Sequence, residues 1–566
     1  MKRVILFVFV YVFCWNTLCY AAAVHVRIPE DSLGEGMPLQ LFLTGNGDYR
    51  DDVGYSKLSE TLGGLLPTGA GVQVSHVEAA VEVDHDNDPD TPLVSAWLPD
   101  PSEPNFAGKT ILDISGADPL AYSPHATSVG RLFYGNYKSM TPGITLIEAF
   151  YAPHWLASDC LDPFAPETLP LSSHSRIFNN SWTGYGFNVE MNMDFLKRVD
   201  WLIDTDNAII VAAMGNGSSN LPLLGSSFNV IAVGRSDGHH GTGSVNIDGL
   251  YVSGRTKPDL VAPADYTSAA TPMVASAAAL LVAKGHQDPS LSHDLQETYT
   301  TNRLGDTIYN AERSIVAKAA LMAGASKRAI NKFSSNITDY FKFADRRSQN
   351  GLDSIFGAGQ LNIYDSYFII ASGEQNCQEN DPVGLGEIGS QGFDYHPGLV
   401  GSDSEPGSAS YFFTCSNDYQ KLSASLVWNI HIDEDGSGDF DGNATLPHFV
   451  LSLYETSGPT QTKLASSNST IDNSQNLWIR LQKGKRYLLK VELDTPGTYD
   501  YGLAWNISGF LESDFMGDKD SDGQDLSSFL NYFASQDPMA DLNYDGNIDS
   551  ADIAIFAEEF GAMLSN

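Results

Sequence analysis

From about Gly69 to Tyr367 the chain alternates short apolar runs with helix-patterned stretches, and that alternation leaves few folds open. The runs Val72–Val77, Thr145–Phe150, Ile177–Asn180, Ala208–Ala213 and Val230–Val233 are short, mainly apolar and read as buried strands. The segments near Met191–Ile203, Pro272–Lys284 and Ile315–Ala323 carry helical patterning. Strands that alternate with helices predict an α/β domain, a parallel sheet covered by helices on both faces.

The texture then changes twice. From about Ser372 to Phe510, β-rich runs such as Leu422–Ile432, Phe449–Tyr454, Leu477–Leu481, Tyr487–Leu493 and Tyr501–Ile507 are separated by Gly, Asp, Asn and Ser, which predicts a β-sandwich. The last fifty residues form two carboxylate-rich loops, each followed by a short helix. A length of 566 residues suits such a division, at roughly 150 residues per domain. The expected boundaries are 1–23, 24–68, 69–371, 372–510 and 511–566. The segment 24–68 holds no domain of its own; pieces such as Leu39–Leu43 are expected at a sheet edge or on the surface.

Residues 1–23 read as a secretory signal. Lys2 and Arg3 precede an apolar run from Val4 to Cys14, and Ala21, Ala22 and Ala23 supply small residues at a cleavage site. Neither Cys14 nor Cys19 follows the small-residue pattern of a lipid-anchor signal, and no other stretch reads as a bilayer span. The expected destination is extracellular, periplasmic or cell-surface, without a membrane anchor; a signal anchor left uncleaved is the alternative reading of residues 1–23. An oxidising compartment permits one pair among Cys160, Cys377 and Cys415, and Cys377 with Cys415 is the expected bridge because both fall in one segment. The net charge of −38 argues against nucleic acid or an anionic membrane as partner and is compatible with bound cations. With 42% hydrophobic and 18% charged residues, the composition is globular and not that of a disordered acidic chain.

Four pieces in a fixed order carry chemistry. Gly69 to Glu78 is a glycine turn, a buried strand and a carboxylate at the strand end. In Ser123-Pro124-His125-Ala126 a histidine opens a helix. Ala212-Ala213-Met214-Gly215-Asn216-Gly217 is a strand that ends at an asparagine between glycines. Lys257-Pro258-Asp259 leads into Thr267-Ser268-Ala269-Ala270-Thr271-Pro272-Met273, the start of an alanine-rich helix. Acyl transfer to a serine needs this set: a hydroxyl, a neutral imidazole to take its proton, a carboxylate to orient the imidazole, and an amide where the oxyanion forms. Each residue also has a plain reading: a loop carboxylate, a surface or structural histidine, a turn asparagine and a serine N-cap. Their joint order favours the chemical one.

These pieces resemble the subtilisin-like serine proteases over about Gly69 to Tyr367, including a closing helix at Val316–Met322. The resemblance implies that Ser268 is the nucleophile, His125 the general base, Asn216 the oxyanion donor and Glu78 the orienting acid. It also implies a serine endopeptidase acting on protein or peptide. Glu78 stands where the family has aspartate, Ala126 and Tyr266 where it has glycine, and Met273 where it has histidine. The stretch from Pro263 to Ser268 is short. Glu82 and Asp84 are alternative acids. A serine-carboxyl protease is disfavoured by the presence of both His125 and Asn216, whereas a subtilisin-like domain that has lost catalysis and serves as a binding scaffold stays open.

In the tail, Asp541, Asn543, Asp545, Asn547, Asp549 and Asp552 hold positions 1, 3, 5, 7, 9 and 12 of a loop with Gly546 at position 6. Calcium takes six to eight oxygens around such a turn. Twenty-seven residues earlier, Asp514, Asp518, Asp520, Asp522 and Asp525 hold positions 1, 5, 7, 9 and 12, with Met516 at position 3 and Lys519 in place of the turn glycine. The first loop is therefore expected to bind more weakly than the second, if at all. The pair resembles the tandem calcium loops of a dockerin, which implies structural calcium and a cohesin-like protein partner. In the sandwich, Asp433–Asp441 reads either as another calcium loop or as a solvated hairpin.

Overall fold

The mainly apolar runs become strands of one sheet covered on both faces, because alternate side chains feed two separate cores. The computed structural model describes residues 24–27, 47–86, 91–117, 121–165, 168–218, 220–294, 296–332, 335–379, 386–433, 444–458 and 460–564. The signal segment, the Leu39–Leu43 run and residues 434–441 of the sandwich loop lie outside them. In chain order the first strands are Val24–Arg27 (β1), Val74–Glu78 (β2), Thr110–Asp113 (β3), Leu146–Tyr151 (β4), Ile177–Asn180 (β5), Thr183–Gly186 (β6), Ile209–Ala213 (β7), Ile231–Arg235 (β8) and Leu260–Ala262 (β9). Seven of them form one sheet in the order β9-β8-β7-β5-β2-β4-β3, with every pairing parallel.

Helices Pro124–Phe133 (α1), Val189–Asp206 (α2), Thr267–Gln287 (α3) and Ser314–Gly324 (α4) cover this sheet. On β7, Ile209 and Val211 enter a core shared with Leu132 and Phe133 of α1, Leu280 of α3 and Leu321 of α4. Ile210 and Ala212 enter the opposite core with Phe195, Leu196 and Val199 of α2. Among the described residues α3 is the helix long and apolar enough to cross a membrane, and it is buried inside the fold. The strand order reverses between β2 and β5, where open α/β sheets place their sites, outside the carboxyl ends of the strands.

Part of segment 24–68 does pair at a strand edge. β1 runs antiparallel to β6, with Val26 opposite Gly184. A side chain at Gly184 could not be accommodated, since a Cβ there would lie 2.7 Å from the His25 carbonyl oxygen.

Downstream, two antiparallel sheets face each other. One has five strands in the order Gln378–Glu379, Gly407–Thr414, Arg486–Leu493, Phe449–Glu455 and Thr462–Ser467. The other has four, in the order Gln391–Gly401, Gly497–Gly509, Gln420–Val427 and Ser474–Leu481. Tyr411, Phe413, Leu451 and Leu489 of the first interleave with Leu422, Leu426, Leu503 and Trp505 of the second. The outer face of the four-stranded sheet rests on the parallel-sheet unit, where Phe393, Tyr395, Val427 and Ala504 join the core of α3 and α4. Gly502 permits this approach, because a Cβ would stand 3.0 Å from the Ile315 carbonyl carbon.

The expected strand Leu422–Ile432 ends at Val427. The chain then leaves the sheet so that the Ile430 N–H donates to Asn229 Oδ1 at 2.9 Å, which joins the two units.

The expected Cys377–Cys415 bridge is not formed, and Cys160, Cys377 and Cys415 are all thiols. Register explains this. Gln378 pairs with Ser410 and Glu379 with Ala409, so Cys377 falls beside Tyr411, four residues short of Cys415. At about 3.3 Å per residue that offset is roughly 13 Å, beyond the ~7 Å a disulfide tolerates. Cys415 Sγ lies instead 3.3 Å from both the Asn417 carbonyl and Gln420 Oε1.

The tail folds as a repeat. Helices Gly523–Ser535 (α5) and Ser550–Glu559 (α6) stack Phe529 on Phe556 at 4.7 Å between centroids, two rings separated by the same 27 residues that separate the loops. The repeat is seated on the rest of the chain: Lys342 Nζ donates to the Asp541 carbonyl at 2.8 Å, and Arg347 Nη2 donates to Asp541 Oδ2 at 3.2 Å.

Candidate active site

Glu78 is the last residue of β2, and the strand's alternation sends His76 and Glu78 to the face that α1 and α3 cover. Ser123 caps α1, its Oγ accepting the Ala126 N–H at 3.1 Å, with Pro124 at the first helical position. That start fixes His125, whose Nδ1 lies 2.8 Å from Glu78 Oε2. The carboxylate that reaches the imidazole is therefore Glu78. Glu82 is exposed on the next short strand, and the exposed Asp84 accepts the Asp86 N–H.

The second oxygen of Glu78 is also engaged. His76 Nε2 lies 3.0 Å from Glu78 Oε1, and His76 Nδ1 lies 3.0 Å from the Tyr134 hydroxyl. All four side chains are buried. An ionised carboxylate only accepts, so both histidines donate to it: His76 through Nε2–H and His125 through Nδ1–H. Burial works to raise the Glu78 carboxyl, but the charge and hydrogen bonds of His125, with those of His76 behind them, outweigh it and hold the group below the usual carboxylate range.

Ser268 is the second residue of α3. Pro272 stands four residues on and brings no N–H to the Ser268 carbonyl, so the first turn is held in another way. Asn216 Oδ1, arriving from the end of β7, accepts the Thr267 N–H at 3.0 Å and the Thr267 hydroxyl at 3.2 Å. That pairing fixes which way the amide points. Its Nδ2 is buried with no hydrogen-bond partner, and so is the Ser268 hydroxyl, one residue from Thr267. Buried polar atoms are usually paired, and these two are linked through Thr267, which Asn216 Oδ1 holds. The Ser268 N–H lies in the same first turn, between the Thr267 amide held by Asn216 and the Ala269 and Ala270 amides that donate to the Tyr266 carbonyl. The helix that carries His125, α1, packs against α3, the helix that carries Ser268.

The loop after β7 is braced by a residue that sequence reading passed over. Asn216 bridges His240, and the Gly241 N–H donates to the Gly215 carbonyl at 2.8 Å. His240 Nδ1 accepts the Arg235 N–H at 3.0 Å, so its Nε2–H donates to the Ile355 carbonyl at 2.9 Å. Burial holds this imidazole down to about 4. His76 was equally unflagged. Its signal was present, two residues before Glu78 on one strand face, but a lone histidine in an apolar run does not announce its partner. Met273 is buried in the core beneath the site.

In the tail the two loops share one backbone course. Positions 4 and 6 are left-handed in both, Gly517 and Lys519 in the first and Tyr544 and Gly546 in the second. Lys519 thus makes the turn without glycine. In the first loop, Asp514 Oδ1 accepts the Gly517 and Asp518 N–H groups, and Asp525 Oδ1 accepts those of Phe515 and Met516. The second loop matches it: Asp541 accepts from Asp545 and Gly546, and Asp552 Oδ1 from Leu542 and Asn543. Among the described residues the carboxylates that converge are Asp518, Asp520 and Asp525, with ligand oxygens within 4.8 Å of one another. Desolvation and the crowd of Asp518, Asp522, Asp525 and Asp514 push the Asp520 carboxyl above its usual range. The convergence falls in the loop ranked second from sequence. Asp522 and Asp549 cap the following helices, and Asn543, Asp545 and Asn547 of the second loop hydrogen-bond among themselves.

The model of the Subtilase family matches residues 166–359, a stretch that holds Asn216 and Ser268, while Glu78 and His125 lie ahead of it. No curated protein matches the chain. Among solved structures, the chain is similar to a mutant of the protease domain of PatA at 18% identity, over 55% of this chain and 98% of that one, with a TM-score of 0.32. It is similar to an Aeromonas sobria serine protease, solved in complex with a chaperone, at 13% identity over 77% and 88%, with a TM-score of 0.28. It is also similar to the pre-peptidase C-terminal domain of a collagenase from Bacillus anthracis at 16% identity over 22% and 99%, with a TM-score of 0.16.

Proposed function

We propose that the chain is a secreted serine endopeptidase working through Ser268, His125 and Glu78, with Asn216 as oxyanion donor. The observation that carries this reading is the Glu78–His125 hydrogen bond at the same sheet end where Ser268 Oγ and Asn216 Nδ2 are buried without partners. The family match over residues 166–359 supports a serine protease at family level.

In this mechanism Ser268 Oγ attacks the scissile carbonyl carbon while His125 Nε2 takes its proton. Glu78 keeps the Nδ1–H tautomer in place and stabilises the imidazolium that forms. The carbonyl oxygen, now an oxyanion, accepts from Asn216 Nδ2–H and the Ser268 N–H. As the tetrahedral intermediate collapses, the C–N bond breaks and His125 returns the proton to the departing amine. Water, deprotonated by His125, then attacks the acyl-serine ester and releases the acid with Ser268 restored.

The test is labelling of full-length protein by a fluorophosphonate probe. Ser268 is labelled in the wild type and not in Ser268→Ala, and labelling collapses in His125→Ala. A folded wild type that neither labels nor cleaves casein peptides overturns the reading and leaves a catalytically inactive scaffold.

The C-terminal loops are read as dockerin-like calcium sites, held by oxygens of Asp514, Asp518, Asp520, Asp522 and Asp525 in the first and of Asp541, Asn543, Asp545, Asn547, Asp549 and Asp552 in the second. Hard oxygen donors around a tight turn suit calcium, whose part would be structural, joining each loop to its helix. A cohesin-like protein partner is part of the same reading.

A further inference from the structure

Resting on the protease reading, the structure assigns His76 as a positioning residue that fixes the Glu78 carboxylate so that its other oxygen meets His125. A glutamate brings one more torsion to this task than an aspartate, and the terminal torsion of a glutamate is broad and roughly twofold. Held only by His125, the buried carboxylate would be free to rotate about Cγ–Cδ and would carry one unsatisfied oxygen. His76 removes both problems. It lies on the same strand face two residues earlier, and its Nε2 stands 3.0 Å from Glu78 Oε1 while His125 Nδ1 stands 2.8 Å from Oε2.

His76 is itself held. Its Nε2–H is spent on the carboxylate, so Nδ1 accepts the Tyr134 hydroxyl at 3.0 Å. Burial, with the Glu78 charge behind it, raises that phenol well above its usual range, so it remains a donor. Tyr134 follows directly on α1, the helix that carries His125, and its ring packs beside Phe106. Gly130 leaves the space: a Cβ there would lie 2.6 Å from the Tyr134 hydroxyl and 2.8 Å from the Phe106 ring. The chain of donors therefore runs from Tyr134 to His76 to Glu78 and meets His125 at the other oxygen, with both ends anchored in α1.

The role separates from mere packing by its kinetics. His76→Leu, folded by near-UV circular dichroism and thermal melt, is expected to lower kcat about ten- to a hundredfold with KM within about twofold, the scale at which a ligand's supporting hydrogen bond acts. His76→Gln, whose amide N–H reaches the same oxygen, restores kcat to within about threefold of wild type. In a Glu78→Gln background, adding His76→Leu changes kcat by less than about twofold, since His76 acts only through the carboxylate. A folded His76→Leu with wild-type kcat overturns the assignment. So does a loss in the Glu78→Gln background as large as in wild type. A wild type with no Ser268-dependent turnover overturns the protease reading itself, and that outcome is told apart by the fluorophosphonate label on the unmutated chain.

Discussion

His125 Nδ1 donates to Glu78 Oε2 at 2.8 Å, a pairing made by a side chain one methylene longer than the aspartate that the family resemblance leads one to expect at that strand end. The histidine sits on a helix start fixed by Ser123 and Pro124, and the longer side chain of Glu78 meets it from the end of the buried strand β2. Glu78→Gln presents an amide that can hold the wrong tautomer, and kcat is expected to fall roughly 10³- to 10⁴-fold. Glu78→Asp keeps the charge but withdraws both oxygens, and is expected to lose roughly tenfold. Steady-state kinetics on a peptide substrate reads both. Equal losses in the two variants would mean that reach and not charge governs the site.

Asn216 offers a cleaner separation of binding from chemistry. Its Oδ1 is tied to Thr267, which leaves Nδ2 as the donor for an oxyanion in the proposed mechanism. Asn216→Ala is expected to lower kcat about 10²- to 10³-fold with little change in KM, because the bond strengthens only as the oxyanion forms. A rise in KM with unchanged kcat would assign the amide to ground-state binding.

The brace behind that asparagine predicts an acid limb of stability. His240 is buried and neutral, held down to about 4, whereas an unfolded histidine titrates near 6.5. Below pH 6.5 the unfolded chain takes up a proton that the folded chain refuses. Stability is therefore full above that pH and declines as pH falls toward 4, by an amount on the order of 3 kcal/mol. Urea melts of wild type and His240→Gln across that window check it: the variant's curve is expected to be flatter by this portion. Parallel curves would remove His240 from the acid transition.

What was legible in the sequence follows from burial. Ile177–Asn180 is a strand with the bounds read from its apolar run, and the expected Ala208–Ala213 run becomes a strand one residue shorter, because both faces of this sheet are covered. The sandwich was read less well. Gln391–Gly401 holds Pro397 and three glycines and shifts register between His396 and Leu399, so no clean alternation marked it. β1 was missed because four residues give no period, and its reason for pairing, the open backbone at Gly184, is 158 residues away. At the candidate site, the order of the four pieces and the family resemblance brought forward Glu78, His125, Asn216 and Ser268. Neither could bring forward His76 or His240, whose parts depend on which face and which loop they meet. The ranking of the two acidic loops rested on glycine at the turn, and Lys519 adopts the left-handed conformation without it.

That last point makes the first loop the one to test. Asp518, Asp520 and Asp525 already converge, and a bound divalent cation would relieve their mutual repulsion. Calorimetric titration of the full-length protein with calcium is expected to show a site that disappears in the Asp518→Ala/Asp520→Ala double variant and survives Asp545→Ala. These two aspartates lie outside the helix-capping pair Asp522 and Asp525, so the double variant is expected to fold without the metal. At calcium about a hundredfold above the dissociation constant, the wild type gains about 2.7 kcal/mol that chelation removes, read as a fall in Tm on adding EDTA. The double variant should show no such fall from this loop. Calcium heat that survives the double variant and vanishes in Asp545→Ala would move the site to the second loop, and no heat in either would leave the convergent carboxylates as a strained but purely structural turn.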